Sequence, residues 1–152
     1  MTSTGSRYVY DEQDRLLRWA EQHMVAQSFG DDAAAIGHER NGELVGVIAY
    51  DHFSDRSCML HAASDGSRRW ITREFITRAM AFPFLQCKLH RMSCMVSTAN
   101  AESLRFCEHF GWTPEGRLRE EGPFGEDMIV FGLLRRECGW IFGTGKAVRR
   151  AV

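Results

Sequence analysis

The chain has 152 residues, of which 44% are hydrophobic and 26% charged, and its net charge at neutral pH is −1. This length predicts a single domain over residues 1–152, and the composition is that of a soluble globular protein. The balanced charge does not favour nucleic acid as a partner. No apolar run approaches the ~20 residues that span a bilayer, and the polar start Met1–Arg7 is not a secretory signal, so we expect a cytoplasmic protein without membrane contact.

The cysteines form an odd set without a C-x-x-C pair: Cys58, Cys87, Cys94, Cys107 and Cys138. A disulfide framework normally uses an even set in a shorter secreted chain. We therefore expect reduced thiols that pack as small apolar side chains. The histidines are scattered without the spacing of zinc ligands, so no metal site is predicted.

The first predicted element is a helix that follows a short extended lead over residues 1–10. Apolar residues recur at helical spacing from Asp11 to about Met24, among charged residues. This pattern predicts an amphipathic helix with acidic residues in its first turn. The turn-forming Gly30-Asp31-Asp32 ends the segment.

A hairpin and a third strand come next. Two strand-like runs, Ala33–Arg40 and Glu43–Tyr50, flank Asn41-Gly42. An Asn-Gly pair between such runs predicts a tight turn whose central residues have positive φ. Ser57–Ala63 is predicted as a third strand after a turn-rich segment.

The middle of the chain predicts a helix followed by a strand. Apolar residues at helical spacing predict a helix from Arg68 to about Phe82, and Pro83 is expected to stop it. Arg91–Ser97 then places apolar side chains on one side of a predicted strand.

The last third predicts a helix and two strands. Ala99-Asn100 opens the helix, and Gly111 stands where a C-terminal cap is expected. Strands follow around Trp112–Arg119 and Asp127–Arg135, and we expect the tail from Gly139 onward to be loosely attached. The overall order is helix, three strands, helix, strand, helix and two strands. A strand–helix–strand unit implies a parallel pair inside an otherwise antiparallel sheet, so the predicted class is mixed α/β.

A series of polar and glycine motifs follows the start of the predicted strand at Arg91: Arg91, Asn100, Ser103, Gly111-Trp112, Glu115-Gly116, Arg119 and Asp127. In order and spacing this series resembles the C-terminal half of the GNAT (Gcn5-related N-acetyltransferase) superfamily. The branch it resembles includes the ribosomal-protein N-terminal (RimJ/RimL-like) acetyltransferases. The resemblance implies an acetyl-CoA-dependent N-acetyltransferase that needs no metal.

The resemblance also implies a place for the acyl donor. In this family the pantetheine arm enters between two splayed parallel strands, and the pyrophosphate lies on a helix N-terminus, here Asp65–Glu74. Arg68 and Trp70 stand where the family has glycines. The implied donor-binding residues are Ala62, Ala63, Ser67, Arg68, Arg69, Trp70, Ile71, Asn100, Ser103 and Phe106.

Three residues are candidates for proton transfer. By the resemblance, Ser103 would donate a proton to the departing thiolate, and Cys107 takes the place of a tyrosine with that role. His61 is the candidate general base, because imidazole titrates near neutral pH; Asp51 and His52 are rivals. Simpler explanations stay open, since packing accounts for a cysteine and helix capping for Asn100.

The acceptor is predicted to be a primary amine: a protein N-terminus, a lysine or a small cationic amine. Acidic residues near the expected acceptor rim favour a cation, although a solvated acidic face is an equal explanation: Asp51, Asp55, Glu120, Glu121, Glu126 and Asp127. One rival is a GNAT-like binding module with weakened catalysis. The other is an acyltransferase acting on nucleic acid, which Arg68-Arg69 and Arg149-Arg150 allow. The resemblance also allows a homodimer.

Overall fold

The computed structural model describes residues 5–25 and 27–141. In it the chain folds into a mixed β-sheet with helices packed on both faces. The described strands are β1 Ser6–Val9, β2 Ala34–Arg40, β3 Glu43–Asp51, β4 Ser57–Ser64, β5 Arg91–Ser97, β6 Thr113–Leu118 and β7 Met128–Leu134. The described helices are α1 Gln13–Gln22, α2 Arg73–Ala81 and α3 Ala101–His109. None of these helices is long and apolar enough to cross a membrane.

The strands lie in the order β1-β2-β3-β4-β5-β7-β6. Neighbouring strands within the described residues run antiparallel except β4 and β5, which are parallel and are joined by a crossover through α2. The predicted mixed α/β class and its parallel pair are confirmed. The predicted extended lead contains β1, which pairs with β2 at the edge of the sheet.

The predicted hairpin turn is confirmed. Asn41 and Gly42 connect β2 to β3 with φ of 55° and 82°. Both central residues need positive φ in this kind of turn, which asparagine and glycine adopt at little cost. The turn therefore fixes the register next to it, in which Arg40 faces Glu43. A bulge between His38 and Glu39 then shifts the pairing, so that Ala34 faces Tyr50.

The sheet is buried on both faces, which explains why β3 is apolar along most of its length. One face packs Val47, Ala49 and Ala63 against α1, where Leu16 and Ala20 are fully buried. The other face packs against α2 and α3 in a larger cluster. Alternate residues of β3 and β4 therefore point to opposite layers.

Helix α2 begins five residues later than predicted. Thr72 is its N-cap, and the Thr72 side chain accepts a hydrogen bond from the Phe75 N–H at 3.1 Å. A threonine oxygen satisfies one of the free N–H groups of a first helical turn, which fixes the start. Residues 68–71 instead form a turn, in which the Ile71 N–H donates to the Arg68 carbonyl. The predicted start at Arg68 is wrong.

Pro83 does not stop the helical path, contrary to prediction. A π-helical turn, Phe82–Gln86, continues directly from α2. Proline lacks the N–H that would bond to the carbonyl four residues before it. That carbonyl belongs to Ala79, and the buried Tyr50 hydroxyl donates to it at 2.6 Å. A side chain from β3 thus supplies the donor that Pro83 lacks.

The loop before α2 is anchored to the sheet by Trp70. The indole packs over Gly46 of β3, where an added Cβ would overlap the tryptophan side chain. The buried His38 of β2 donates from Nδ1 to the Trp70 carbonyl at 3.1 Å, while its Nε2 accepts from the Ser6 hydroxyl at 2.8 Å. This loop is therefore held by backbone and core contacts, with the Trp70 ring inside the protein.

The tail is attached at its beginning. Trp140 is buried, and its ring lies 5.2 Å from that of Phe110, with the Arg73 guanidinium above it. The predicted loose attachment is therefore wrong for residues 139–141. Residues 142–152, including Arg149 and Arg150, lie outside the described residues.

Replacing Tyr50 by phenylalanine should lower the free energy of unfolding by about 1–3 kcal/mol, because the buried Ala79 carbonyl then loses its donor. Urea denaturation would measure the change. Adding Pro83→Ala to the Tyr50→Phe protein restores an N–H beside that carbonyl and should recover part of the loss. If the second substitution only destabilises further, the hydroxyl does not act as the missing donor.

Acid should weaken the anchor at His38. Burial lowers the pKa of His38, and the positive charge of Arg40 lowers it further. The hydrogen bond to the Trp70 carbonyl raises this pKa, but it does not cancel the effect of burial. The unfolded chain then binds more protons below about pH 6.5, so the free energy of unfolding should fall as the pH drops through that value. Unfolding curves between pH 5 and 8 would measure the slope of the free energy of unfolding against pH, and His38→Gln should reduce that slope. An equal slope in both proteins would contradict the assignment.

Candidate active site

The sheet opens between β4 and β5. These strands pair only from Ser57 to Met59 on β4 and from Arg91 to Ser93 on β5. The ladder ends there, although both strands continue to Ser64 and Ser97. The splayed parallel pair expected from the resemblance is confirmed.

Backbone groups of both strands face this opening. The Arg56 carbonyl accepts from the His90 and Arg91 N–H groups, whereas the Asp65 N–H donates to β3. Successive residues of a strand direct their backbone groups to opposite neighbours. By this alternation the N–H and C=O of Ala62 and of Met95 point into the opening, beyond the end of the ladder.

A cavity of about 190 Å³ occupies the opening and is lined from both faces of the sheet. Its walls are mostly apolar, and its polar side chains come from β4, β5 and the start of α3: His61, Ser97, Asn100 and Ser103. Met24 closes it on the side of α1, and Ile76 and Met80 of α2 lie on the other side. An apolar cavity with a few convergent polar groups is typical of a small-molecule site.

His61 lies at this cavity with a carboxylate behind it. Its Nε2 is 2.7 Å from Oδ1 of Asp51, and its side chain is 14% exposed. Asp51 and His61 are diagonal neighbours on one face, because Asp51 pairs with Met59 and Ala49 pairs with His61. The Phe29 ring packs on the imidazole in an edge-to-face arrangement, with the two ring centroids 5.4 Å apart. An ionised Asp51 holds the proton on Nε2, which leaves Nδ1 with a free lone pair.

His52 contacts the same oxygen from the solvent side. Its Nδ1 lies 3.0 Å from Oδ1 of Asp51, but its side chain is 72% exposed. The hydrogen bond with Asp51 raises the pKa of His52, and the charge of Asp32 acts in the same direction. The structure thus brings together the predicted base and both of its rivals, with His61 the one that lines the cavity.

Helix α3 carries the predicted proton donors. The Asn100 side chain accepts from the Ser103 N–H at 3.1 Å and caps the helix, so the simpler explanation for Asn100 is confirmed. Ser103 and Cys107 both line the cavity on the wall across from His61. Cys107 Sγ lies 3.7 Å from the buried Cys94 Sγ, and this contact together with burial raises the pKa of Cys94. Four of the five free thiols are buried, as predicted, whereas Cys87 is exposed.

A second cleft, of about 240 Å³, adjoins the cavity and shares Ala62, Asn100, Ser103 and Phe106 with it. Most of the predicted donor-binding residues line this cleft: Ala62, Ser67, Arg68, Trp70, Ile71, Asn100, Ser103 and Phe106. Trp70 lines the cleft but not the cavity, so it does not block the opening between the strands.

Two predicted donor-binding residues lie elsewhere. Ala63 is buried against α1 on the opposite face of the sheet, and it pairs with Val47 of β3. Its place in the donor site is therefore a wrong prediction, because strand alternation turns it away from the opening. Arg69 is directed to Asp65, with Nη2 2.7 Å from the carboxylate.

The acidic residues predicted for the acceptor rim have different surroundings. Asp51 contacts His61, and Glu126 accepts from the hydroxyl of the cavity residue Ser97 at 2.7 Å. Asp127 is paired with Arg117 at 2.6 Å, on the exposed β6–β7 hairpin. None of the predicted acidic residues lines the cavity itself, and Asp51 and Glu126 each bond to a residue that does.

Sequence reasoning missed Met24 and Glu102 as parts of these walls, and it missed Phe29 as the ring that packs on His61. Phe29 lies in the irregular segment after α1, where no periodicity indicates a direction. Met24 is the last residue of the predicted helix, but it lies just beyond the end of α1. Glu102 accepts from Arg68 Nε at 3.1 Å across the second cleft. A basic patch at Arg68-Arg69 is thus neutralised by carboxylates, which does not favour nucleic acid binding.

Metal binding was not predicted, and within the described residues no group of three or more His, Cys, Asp and Glu side chains is placed to hold a metal ion. The absence of a metal stays a prediction.

No model of a known protein family matches the chain. No curated protein matches it in sequence. Solved structures of the spermidine/spermine N-acetyltransferase SpeG from Vibrio cholerae do match in fold. Mutant forms of that enzyme align with a TM-score of 0.75 at 15% identity, covering 92% of this chain and 99% of that chain. A complex with manganese ions aligns at 0.73 and 16%, covering 87% and 94%.

A dodecameric structure of the Vibrio cholerae spermidine N-acetyltransferase, in an intermediate state, also aligns. Its TM-score is 0.64 at 20% identity, covering 82% of this chain and 75% of that chain. The narrower RimJ/RimL-like branch and the homodimer stay predictions. Likeness at such low identity is evidence about architecture, and on that evidence this chain has the GNAT fold.

Proposed function

We propose that this chain is an enzyme that transfers an acetyl group from acetyl-CoA to a primary amine of a small cationic acceptor. The observation that carries the proposal is the opening between β4 and β5. It joins the cleft lined by most of the predicted donor-binding residues to a cavity lined by His61. The spermidine and spermine acetyltransferases that share the fold support the same reaction class.

The donor would lie in the opening as an additional strand. Amide groups of a pantetheine arm can pair with the backbone groups of Ala62 and Met95, as a peptide pairs with a free strand edge. The thioester would then lie in the apolar cavity, and the nucleotide end would extend past Ser67 and Arg68. The N–H of Ala62 is a donor for the oxyanion that forms during attack.

The acceptor would approach from the side of α1. Asp51 is at this end of the cavity, and Glu126 is bonded to the cavity residue Ser97. Carboxylates bonded to two residues of the cavity wall attract a cation, and they also orient an amine before attack. A polyamine or another small cationic amine fits this entrance better than an anionic or apolar acceptor.

Only a neutral amine can attack, and an amine is mostly protonated at neutral pH. Nδ1 of His61 accepts the proton as the nitrogen attacks the thioester carbon, while Asp51 stabilises the imidazolium that forms. A carbon–nitrogen bond forms and the carbon–sulfur bond breaks. The thiolate takes a proton from Ser103, from Cys107 or from water, and the proton held by His61 returns to that donor through solvent, so that the reaction balances. The products are the acetylated amine and CoA.

A binding module without turnover is the second candidate. The observation that favours it is the loop after β4, where Arg68 and Arg69 are each paired with a carboxylate. The proton-transfer geometry at His61 and Asp51 favours the enzyme instead, because binding alone does not require that pair.

The first test is transfer itself. We expect the purified protein to release CoA thiol from acetyl-CoA when supplied with spermidine, spermine or an aminoglycoside, and mass spectrometry should show an acceptor heavier by one acetyl group. Acidic and neutral amines, such as glutamate, should be poorer acceptors. If calorimetry shows that the protein binds CoA but no amine of this panel causes release of thiol, the function is that of a binding module.

Replacing His61 by glutamine should lower kcat by about 10²-fold with little change in the KM for acetyl-CoA, because general base catalysis contributes at least that much. Asp51→Asn should lower kcat less, since it misorients the imidazole without removing it. His90→Gln is the matched control, because His90 is exposed just before the start of β5, away from the cavity. If kcat of the control falls as much as kcat of His61→Gln, or if kcat changes in neither variant, His61 is not the base.

A further inference from the structure

The cavity between β4 and β5 extends into the layer that separates the sheet from α2. Cys94 of β5 belongs to the core cluster of that layer and Leu60 of β4 packs against it, whereas His61 contacts Asp51 and Phe29 on the opposite face. Successive residues of a strand point to opposite faces, which explains this division. We call this part of the cavity the inner pocket, and six residues line it: Ile48, Leu60, Ile76, Ala79, Met80 and Cys94.

The inner pocket differs chemically from the rest of the site. None of its six side chains contains oxygen or nitrogen, and none of these residues lines the adjoining cleft. The polar side chains of the cavity come instead from His61, Ser97 and the start of α3. A polar group in the inner pocket would lose its hydrogen bonds with water and find few new ones. This pocket therefore suits a hydrocarbon chain.

The cavity is larger than an acetyl group needs. Its volume is about 190 Å³. An apolar cavity of about 150 Å³ in another protein binds benzene, which has six carbons, whereas an acetyl group has two. In the proposed binding mode the pantetheine arm runs from the adjoining cleft to Ala62 and Met95, and only the thioester end reaches the inner pocket. That pocket is therefore left for the acyl group.

The depth of the inner pocket sets the length of chain that it can hold. From Ala62 to Leu60 the cavity follows two residues of β4, and a strand covers ~3.3 Å per residue with three backbone bonds. On α2 the cavity reaches from Ile76 to Met80, which is ~6 Å along the helix axis. Both lengths correspond to about six bonds of an extended chain.

We propose that the acyl donor of this enzyme carries a chain of about four to six carbons, which lies in the inner pocket. The proposal rests on the proposed function, since the thioester carrier, the base and the amine are the same. A bond forms between the amine nitrogen and the acyl carbon while the bond to sulfur breaks, and the products are an N-acylated amine and CoA. The protons follow the route given for acetyl transfer. Acetyl-CoA is then a short donor that leaves the inner pocket unfilled.

The first test compares acetyl-, butyryl-, hexanoyl- and decanoyl-CoA with the amine that the panel above shows to be the best acceptor. Burial of one methylene strengthens binding about fourfold, and butyryl has two more methylenes than acetyl. We therefore expect kcat/KM to rise about tenfold from acetyl to butyryl and to stay high for hexanoyl. It should fall for decanoyl, which is longer than the pocket. Release of CoA thiol measures each rate.

Ala79→Leu tests where the chain lies, because the larger side chain fills the inner pocket from α2. The ratio of kcat/KM for hexanoyl-CoA to that for acetyl-CoA should fall about tenfold. Met80→Ala enlarges the pocket, so the ratio of kcat/KM for decanoyl-CoA to that for hexanoyl-CoA should rise. Each ratio compares two donors on one preparation, so partial loss of folded protein does not alter it. Ala81→Leu is the matched control, because Ala81 is also on α2 but does not line the cavity; its ratios should equal those of the wild type.

The proposal is overturned if the wild type has its highest kcat/KM with acetyl-CoA, a result that would still support the proposed function. It is also overturned if Ala79→Leu and Met80→Ala change their ratios no more than Ala81→Leu does. If no donor is transferred, calorimetry decides. Hexanoyl-CoA bound about tenfold more tightly than acetyl-CoA would uphold the inner pocket and count against the proposed function alone. Equal affinities would overturn both.

Discussion

Parallel pairing between β4 and β5 ends at Met59 and Ser93, and the site exists because of that ending. A continuous ladder would satisfy every backbone group and leave no room between the strands. Side chains of both layers, among them Met24 on the side of α1 and Phe106 of α3, line the space instead. The backbone groups of Ala62 and Met95 are then free to bind an extended ligand, and one loop and one helix start lie at its mouth.

The sequence predicts those parts of the fold whose causes are local. Asn41-Gly42 determines its turn by φ alone, and Asn100 caps α3 through a hydrogen bond three residues away. The order of elements then implies the parallel pair, because a strand–helix–strand unit has few other arrangements. The motif series after Arg91 pointed to the splay, which neither composition nor periodicity predicts.

The errors arise where a distant residue decides the local structure. Pro83 reads as a helix stop until Tyr50, far away in the sequence, supplies the missing donor. Trp70 falls within the predicted helix, yet its ring packs over Gly46 and its residue lies in the loop before α2. The sequence predicts His61 and Asp51 as alternative general bases, because the strand register that makes them hydrogen-bonded partners is not evident from the sequence. Ala63 was placed on the wrong face for the same reason.

The short distance between Cys94 and Cys107 has a practical consequence for anyone who handles this protein. A disulfide needs its sulfurs about 2.05 Å apart, and these two atoms already lie within 3.7 Å across the cavity wall. Two-electron oxidation by a small disulfide would tie α3 to β5. If the pair is oxidised, protein kept under reductant and oxidised protein would differ in the shape of one cavity wall, so the redox history of a preparation has to be controlled.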